Sequence, residues 1–214
     1  DSLHKVLIKS NTNGSTKALQ RSVLKAYAKG YVEGKLYVGG LIGVQNRTCD
    51  SARYVADTYI YTTIDSSYHD NGSIKGDSSY IGGLIGSTYG FVKHSHSNGN
   101  VRGFAYVGGL IGGGSKVNAS YAIGSVNGGS IYVGGLVGYA QETIDSSYHK
   151  GGDVTGGSYV GGLTGRGSVS NSYSEGNITG LDNVGGAAGL SSKILNSYTK
   201  AAFVRGRNLV GGLV

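Results

Sequence analysis

The sequence predicts an all-β fold: a three-sided parallel β-helix (β-solenoid) of about seven coils, each 24–27 residues long. Three observations predict it. First, a Gly-Gly doublet within Tyr/Ile/Val-Val-Gly-Gly-Leu-Ile/Val-Gly recurs. Its first glycines are Gly39, Gly82, Gly108, Gly134, Gly161, Gly185 and Gly211, at gaps of 43, 26, 26, 27, 24 and 26 residues. A near-fixed period of this length marks one small unit stacked on itself. Second, each unit is built of short Val-, Ile- and Tyr-rich stretches bounded by Gly, Asn, Ser and Asp, the pattern of strands. Third, the 214 residues include 41 glycines and no proline. That much glycine would ruin helices, and the absence of proline leaves every backbone N–H available to a ladder.

The repeat has three elements in constant order. The doublet element comes first. An apolar-x-x-Ser-Tyr element follows, as in Ile64 to Tyr68, Val117 to Tyr121, Ile144 to Tyr148, Val169 to Tyr173 and Ile194 to Tyr198. Val92 to His96 carries histidine in the last place, and Val23 to Tyr27 is a degenerate first copy. The third element is Gly-x-Val/Ile-x-Gly, as in Gly99 to Gly103 and Gly176 to Gly180. Three short strands and three bends in about 26 residues make one coil. A propeller blade needs about 40 residues, and a hairpin repeat wants a two-residue turn between paired strands. Like strands here lie a full period apart, which suits parallel stacking. At roughly 4.8 Å per coil, seven coils make a rod on the order of 35 Å long.

Stacking sets equivalent residues above one another. Tyr37, Tyr80, Tyr106, Tyr132 and Tyr159 are expected to form one column, continued by Asn183 and Leu209. Tyr27, Tyr68, Tyr121, Tyr148, Tyr173 and Tyr198 are expected to form a second, with His96 filling one place. Offset aromatic stacks add roughly 0.5–1.5 kcal/mol per pair beyond area burial. Leu41, Leu84, Leu110, Leu136 and Leu163, with the Val/Ile columns, supply the interior. The glycine columns are read as tight corners and places of close backbone approach.

Two regions depart from the repeat. Residues 1–22 read as an atypical first coil or basic cap, and residues 23–214 as the solenoid. The first 36 residues carry seven basic side chains against Asp1 and Glu33, whereas the remainder is nearly neutral. Such an end could attract an anionic partner or simply keep an edge soluble. Residues 44–63 hold about 17 extra residues, with Arg47, Arg53, Tyr54, Tyr59 and Tyr61 as candidate ligand-facing side chains. Solenoid insertions emerge as loops, often on the binding face. The sequence starts without methionine and ends mid-repeat at Leu209, Val210, Leu213 and Val214. It therefore reads as processed or excerpted, with end strands that invite pairing. Val23, Leu24 and Tyr27 are the candidates at the other end.

Chemistry-bearing patterns are sparse. Thr63 to His69 is repeated letter for letter by Thr143 to His149, which tempts a pairing of Asp65 with Asp145. Three coils would separate them by about 14 Å, beyond the roughly 5–9.5 Å of glycosidase carboxylates. Lys93 and Asn118 are expected between them. His94 and His96 would face one side of a strand near His69, but the further ligands of a metal centre are missing. No phosphate loop, zinc-protease motif or calcium-roll repeat occurs. No catalytic residue, metal or cofactor is expected, and the near-neutral body lacks the basic stripe of a nucleic-acid binder. No apolar run is long enough to span a membrane as a helix. The lone Cys49 excludes an internal disulfide framework.

Tyr106 to Gly112, Val169 to Tyr173 and Gly176 to Gly180 resemble the GLUG repeat family, named for Gly-Leu-hydrophobic-Gly. The resemblance covers roughly residues 23–214. It departs at the insertion, at the first unit and at Ala187-Ala188. It implies part of a large secreted or surface bacterial protein, such as an adhesin or the non-catalytic portion of an immunoglobulin A protease, and implies no catalytic residues. The leading expectation is therefore a non-enzymatic, extracellular structural or adhesive solenoid. It would belong to a cell-surface filament or adhesin stalk and would stack end to end or continue in a longer parent chain. The alternative is a carbohydrate-binding surface or phage-type fibre module, with a host-surface or glycan ligand. A polysaccharide hydrolase or lyase is the third reading, which the columns do not supply with acids.

Overall fold

A computed structural model describes residues 21–45 and 62–214. The chain is an all-β, three-sided parallel β-helix, and among the described residues every strand pair is parallel and one coil apart. Those residues form three seven-stranded sheets that run along the rod beside one eleven-stranded sheet. One coil illustrates the path: Tyr121–Ile123, Val126–Gly128, Ile131–Gly134 and Val137–Ala140, with Ile144–Asp145 opening the next. The three sequence elements thus become five short strand segments, because a bend cuts each of the first two. Ile85–Lys93 and Ile111–Asn118 run through without a cut and fuse two ladders into the large sheet.

Register follows the motif without slips in the doublet ladder. Val107, Val133, Val160, Val184 and Val210 are successive partners. In the next ladder Val117, Ile144, Val169 and Ile194 are successive partners. The edges of the 44–63 segment belong to the sheets: Val44 and Gln45 pair with Ser87 and Thr88, and Thr62 and Thr63 pair with Arg21 and Ser22. The solenoid accordingly begins by Arg21. Tyr54, Tyr59, Tyr61, Arg47 and Arg53 lie outside the described residues, as do Cys49 and residues 1–20.

Two apolar lobes fill the rod. One is built on Leu84, Leu110, Leu136 and Leu163 with Ile64, Val92, Val117 and Ile144. The other is built on Ile74, Val101, Val126 and Val154 with Ile81, Val107 and Val133. Each of these side chains is essentially inaccessible to water, a gain of roughly 1.5–3 kcal/mol per large side chain. A column of His69, Ser97, Ala122, His149, Ser174 and Thr199 also points inward. It packs against the second glycine of every doublet but the last, from Gly40 to Gly186. A Cβ on Gly135 would overlap the Gly162 carbonyl oxygen and the His149 ring. The doublet glycines therefore serve close approach, as the sequence suggests.

The corners differ from the expectation in one respect. Glycines with positive φ open the third element at Gly30, Gly99, Gly124 and Gly176, whereas the chain bends at the second doublet glycine, as at Gly135-Leu136, without a positive φ there. Left-handed backbone falls instead on the first tyrosine column, with φ of 53, 63, 52, 56 and 56° at Tyr37, Tyr80, Tyr106, Tyr132 and Tyr159. Asn183 and Leu209 continue it at 54 and 52°. A second left-handed column contains Ser66, His94, Ala119, Ser146, Asn171 and Asn196. Such residues cost of order 1–3 kcal/mol each and persist only where surrounding contacts over-determine them. Here ladder bonds above and below, with ring stacking, provide those contacts.

Candidate functional site

The inner corner of each coil is held by a serine ladder. Ser67, Ser95, Ser120, Ser147 and Ser172 each accept, at Oγ, the backbone N–H of the residue one coil earlier. Each Oγ also donates to the carbonyl two residues back in its own coil, at 2.6–3.0 Å. Ser197 closes the series. A bend in the interior would orphan one N–H per coil, and the hydroxyl satisfies it. This serine is plain in the apolar-x-x-Ser-Tyr motif, but its neighbouring tyrosine dominates a reading by residue size.

The tyrosine columns form as expected. Tyr27, Tyr68, His96, Tyr121, Tyr148, Tyr173 and Tyr198 make one continuous stack with centroids 4.7–5.3 Å apart and planes within 11° of parallel. His96 takes a tyrosine's place, its ring 1° from Tyr68 and 3° from Tyr121. Burial holds its pKa below the ordinary histidine value, with Asp70 opposing. Lys150 and Lys200 lie over the Tyr148 and Tyr198 rings.

The remaining titratable candidates do not converge. Asp65 and Asp145 are separated by Lys93 and Asn118, the residues expected there. Burial raises the Asp65 pKa, but hydrogen bonds from His94, Ser66 and Lys93 outweigh it and leave the carboxyl below its usual range. Ser170 and Asn171 donate to Asp145 at 2.5 and 2.8 Å, and these bonds hold its pKa low. Both carboxylates are structural acceptors. His94 and His96 do not share a strand face: His94 is a left-handed corner residue between Ile85–Lys93 and His96–Asn98. The corner turns His94 toward Asp65, at 3.0 Å, and His96 toward Asp70, at 3.4 Å. Among the described residues no group of three metal-ligating side chains occurs. His69 and His149 are fully buried, and their Nε2 atoms lie 2.8 and 2.9 Å from the carbonyls of Gly30 and Gly124. Burial lowers the His149 pKa. The neutral ring then donates from Nε2 and leaves Nδ1 without a partner.

One face carries a concavity. The first tyrosine column stacks at 4.5–5.2 Å, and Tyr106 and Tyr132 splay to 47°. Tyr139 stands edge-on to both, at 6.1 and 5.5 Å. The guanidinium of Arg166 lies 5.5 Å from the Tyr139 ring centroid. Together they border a trough of about 340 Å³ floored by Gly113 and Gly114. A second concavity of about 350 Å³ continues past Arg166 to Ser168 and Ser192. Burial and the neighbouring tyrosines raise the Tyr80 pKa, so its hydroxyl stays neutral and able to donate. The signal for this trough is the residue after the third glycine of each Gly-Gly-Leu-Ile/Val-Gly. Ladder partners there are Val44, Ser87, Gly113, Tyr139, Arg166 and Leu190, a position that varies while the preceding Gly-Gly-Leu-Ile/Val-Gly largely repeats.

The predicted end residues sit at opposite ends of the rod. Val23 and Leu24 pair with Ile64 and Asp65, and Tyr27 pairs with Tyr68. Asn208–Gly211 pairs with Asp182–Gly185. Leu209 is 74% exposed, and Val210, Leu213 and Val214 are exposed beside it. No helix among the described residues is long and apolar enough to cross a membrane.

No family model matches the chain, and no curated protein matches it. A solved Bacteroides ovatus structure described as a "putative immunoglobulin A1 protease" aligns over 96% of this chain and 79% of its own, at 15% identity and a TM-score of 0.49.

Proposed function

We propose that the chain is a non-enzymatic structural solenoid of the extracellular or cell-surface kind, in keeping with its GLUG-like repeats, and that its coils join end to end with further coils. The observation that carries this reading is the exposed apolar face of the last coil, where Tyr198, Leu209, Val210, Leu213 and Val214 lie on or beside the outermost strands. The first described coil holds residues of the same kinds at the same points, with Val38 buried, Leu41 half-buried and Tyr27 partly exposed. A head-to-tail contact on the exposed face would extend the valine ladder, the leucine column and the ring stack by one step. Such a heterologous contact propagates without closing, and main-chain pairing gives it affinity. The covering coil comes from a second copy or from a longer parent chain.

The test is sedimentation velocity and electron microscopy over a concentration series. Rods that lengthen with concentration, in steps of one chain, are expected. Leu209→Asp, which places a charge on the apolar end face, should hold the chain at single rods. Single rods of the unaltered chain at every concentration would overturn self-association and leave the longer-parent form. Substrate-specific cleavage lost on substitution of a described residue would overturn the non-enzymatic reading.

A further inference from the structure

We infer that the trough beside the first tyrosine column is a binding site for a linear glycan that carries occasional carboxylate groups. This goes beyond the scaffold reading and does not depend on end-to-end assembly.

Four observations lead there. The trough is elongated along the rod, since Tyr80, Tyr106 and Tyr132 belong to successive coils and Ser192 lies further on. Its occupant is therefore a chain. The coil rise of roughly 4.8 Å is close to the length of one pyranose, so each sugar meets one tyrosine edge and hydroxyl. The walls mix aromatic carbon with phenol, amide and serine hydroxyl groups, from Tyr139, Gln141 and Ser168. A polar lining of hydroxyl and amide groups interleaved with aromatic faces suits a ligand of hydroxyl rims and C–H faces.

Charge narrows the class. Among the described residues Arg166 is the one charged residue lining either concavity, and no carboxylate pairs with it there. Its guanidinium fork is built to take a carboxylate in two parallel bonds, and its stacking on Tyr139 pre-orients it. A single-stranded nucleic acid bears a phosphate at every nucleotide and wants a positive groove along its backbone. One cation over several coils fits a polymer whose charges are sparse, such as alternating uronate and neutral sugar.

The ladder position after the third glycine also changes from coil to coil along the trough. Val44, Ser87, Gly113, Tyr139, Arg166 and Leu190 share one ladder position, and their differences shape the trough. At Gly113 a Cβ would press on the Tyr80 ring, so the missing side chain opens the floor.

The test titrates the full chain with a hyaluronan octasaccharide (alternating glucuronate and N-acetylhexosamine), a neutral β-glucan octasaccharide and an oligo-dT of similar length. Calorimetry and ligand-observed NMR give the readout. The acidic octasaccharide should bind, and added salt should weaken it. Arg166→Gln should weaken it about tenfold with an unchanged circular dichroism melt, and Tyr139→Ala should abolish it while Tyr139→Phe retains it. Arg102→Gln, on an exposed strand position of another sheet, should leave binding unchanged. The proposal is overturned if no glycan binds, if the neutral glucan binds equally and ignores Arg166→Gln, if Arg102→Gln weakens binding as much, or if oligo-dT binds more tightly through Arg166. Because each variant is read on soluble chain, failure of end-to-end assembly leaves this result untouched.

Discussion

The backbone N–H of Ser147 donates to Oγ of Ser172, 3.0 Å away in the next coil, while the Oγ of Ser147 itself receives the N–H of Ser120. The bond repeats from coil to coil, so one hydroxyl removed leaves one buried N–H orphaned. Ser147→Ala should cost about 1–3 kcal/mol, the penalty of an unsatisfied buried donor. Urea titration checks this, with the exposed Ser125→Ala expected within about 0.5 kcal/mol of the parent. Equal midpoints for the two variants would show that the ladder carries no stability.

Glycine at the second doublet position is a requirement of packing. Gly135→Ala brings a methyl group into the Gly162 carbonyl and the His149 ring, and neither backbone nor buried ring can yield cheaply. A loss of roughly 3 kcal/mol or more is expected, in the range of overpacked cores. Gly212, the same doublet position in the last coil, has open space around its would-be Cβ. Gly212→Ala should be nearly neutral, so thermal melts of the pair separate the coil interior from the coil end.

The seven-ring stack can be tested at its middle. Tyr121 touches His96 on one side and Tyr148 on the other, at 4.7 and 4.9 Å. Tyr121→Ala removes both contacts and should cost roughly 1–3 kcal/mol in stacking, at 0.5–1.5 kcal/mol per pair, with lost area adding to it. Tyr121→Phe keeps both rings in contact and should stay within about 1 kcal/mol of the parent. Chemical denaturation of the two variants distinguishes ring stacking from hydroxyl hydrogen bonding as the source of stability.

Acid should weaken the rod through His149. Burial lowers its pKa in the folded chain, so below the ordinary histidine value of about 6.5 the unfolded chain binds the proton more readily. Stability is therefore fully present above about pH 6.5 and falls as pH drops below it, by at most about 1.4 kcal/mol per pH unit for one proton. His149→Ser, a residue the same column already uses at Ser97 and Ser174, should flatten that slope. His96 contributes in the same direction and is unaltered in this variant, so a reduced slope is expected. Unchanged slopes in unfolding titrations from pH 7.5 to 5 would remove His149 from the account.

The columns were legible because a stacked coil turns sequence period into spatial alignment: Tyr68, Tyr121 and Tyr148 occupy one motif position and therefore one line. The same logic placed His96 among tyrosines and kept Asp65 apart from Asp145. Corner geometry was less legible. Tyr106, Ala119, Ser146 and Leu209 share left-handed backbone but no composition that announces it, since the ladder bonds of neighbouring coils impose the conformation. His94 and His96 misled for the same reason, because a corner between them breaks the alternation a strand would have kept.

By itself the sequence determined the coil, its period, its register and the residues of its interior, because each is a local pattern repeated until stacking follows. Only the tertiary structure decided where the chain turns and which side chains meet across a face. Tyr139 reaches Tyr106 and Tyr132, and Arg166 reaches Tyr139, through neighbouring coils rather than neighbouring positions. The trough arises from side-chain sizes that change along one outward column, and a periodic pattern averages such differences away.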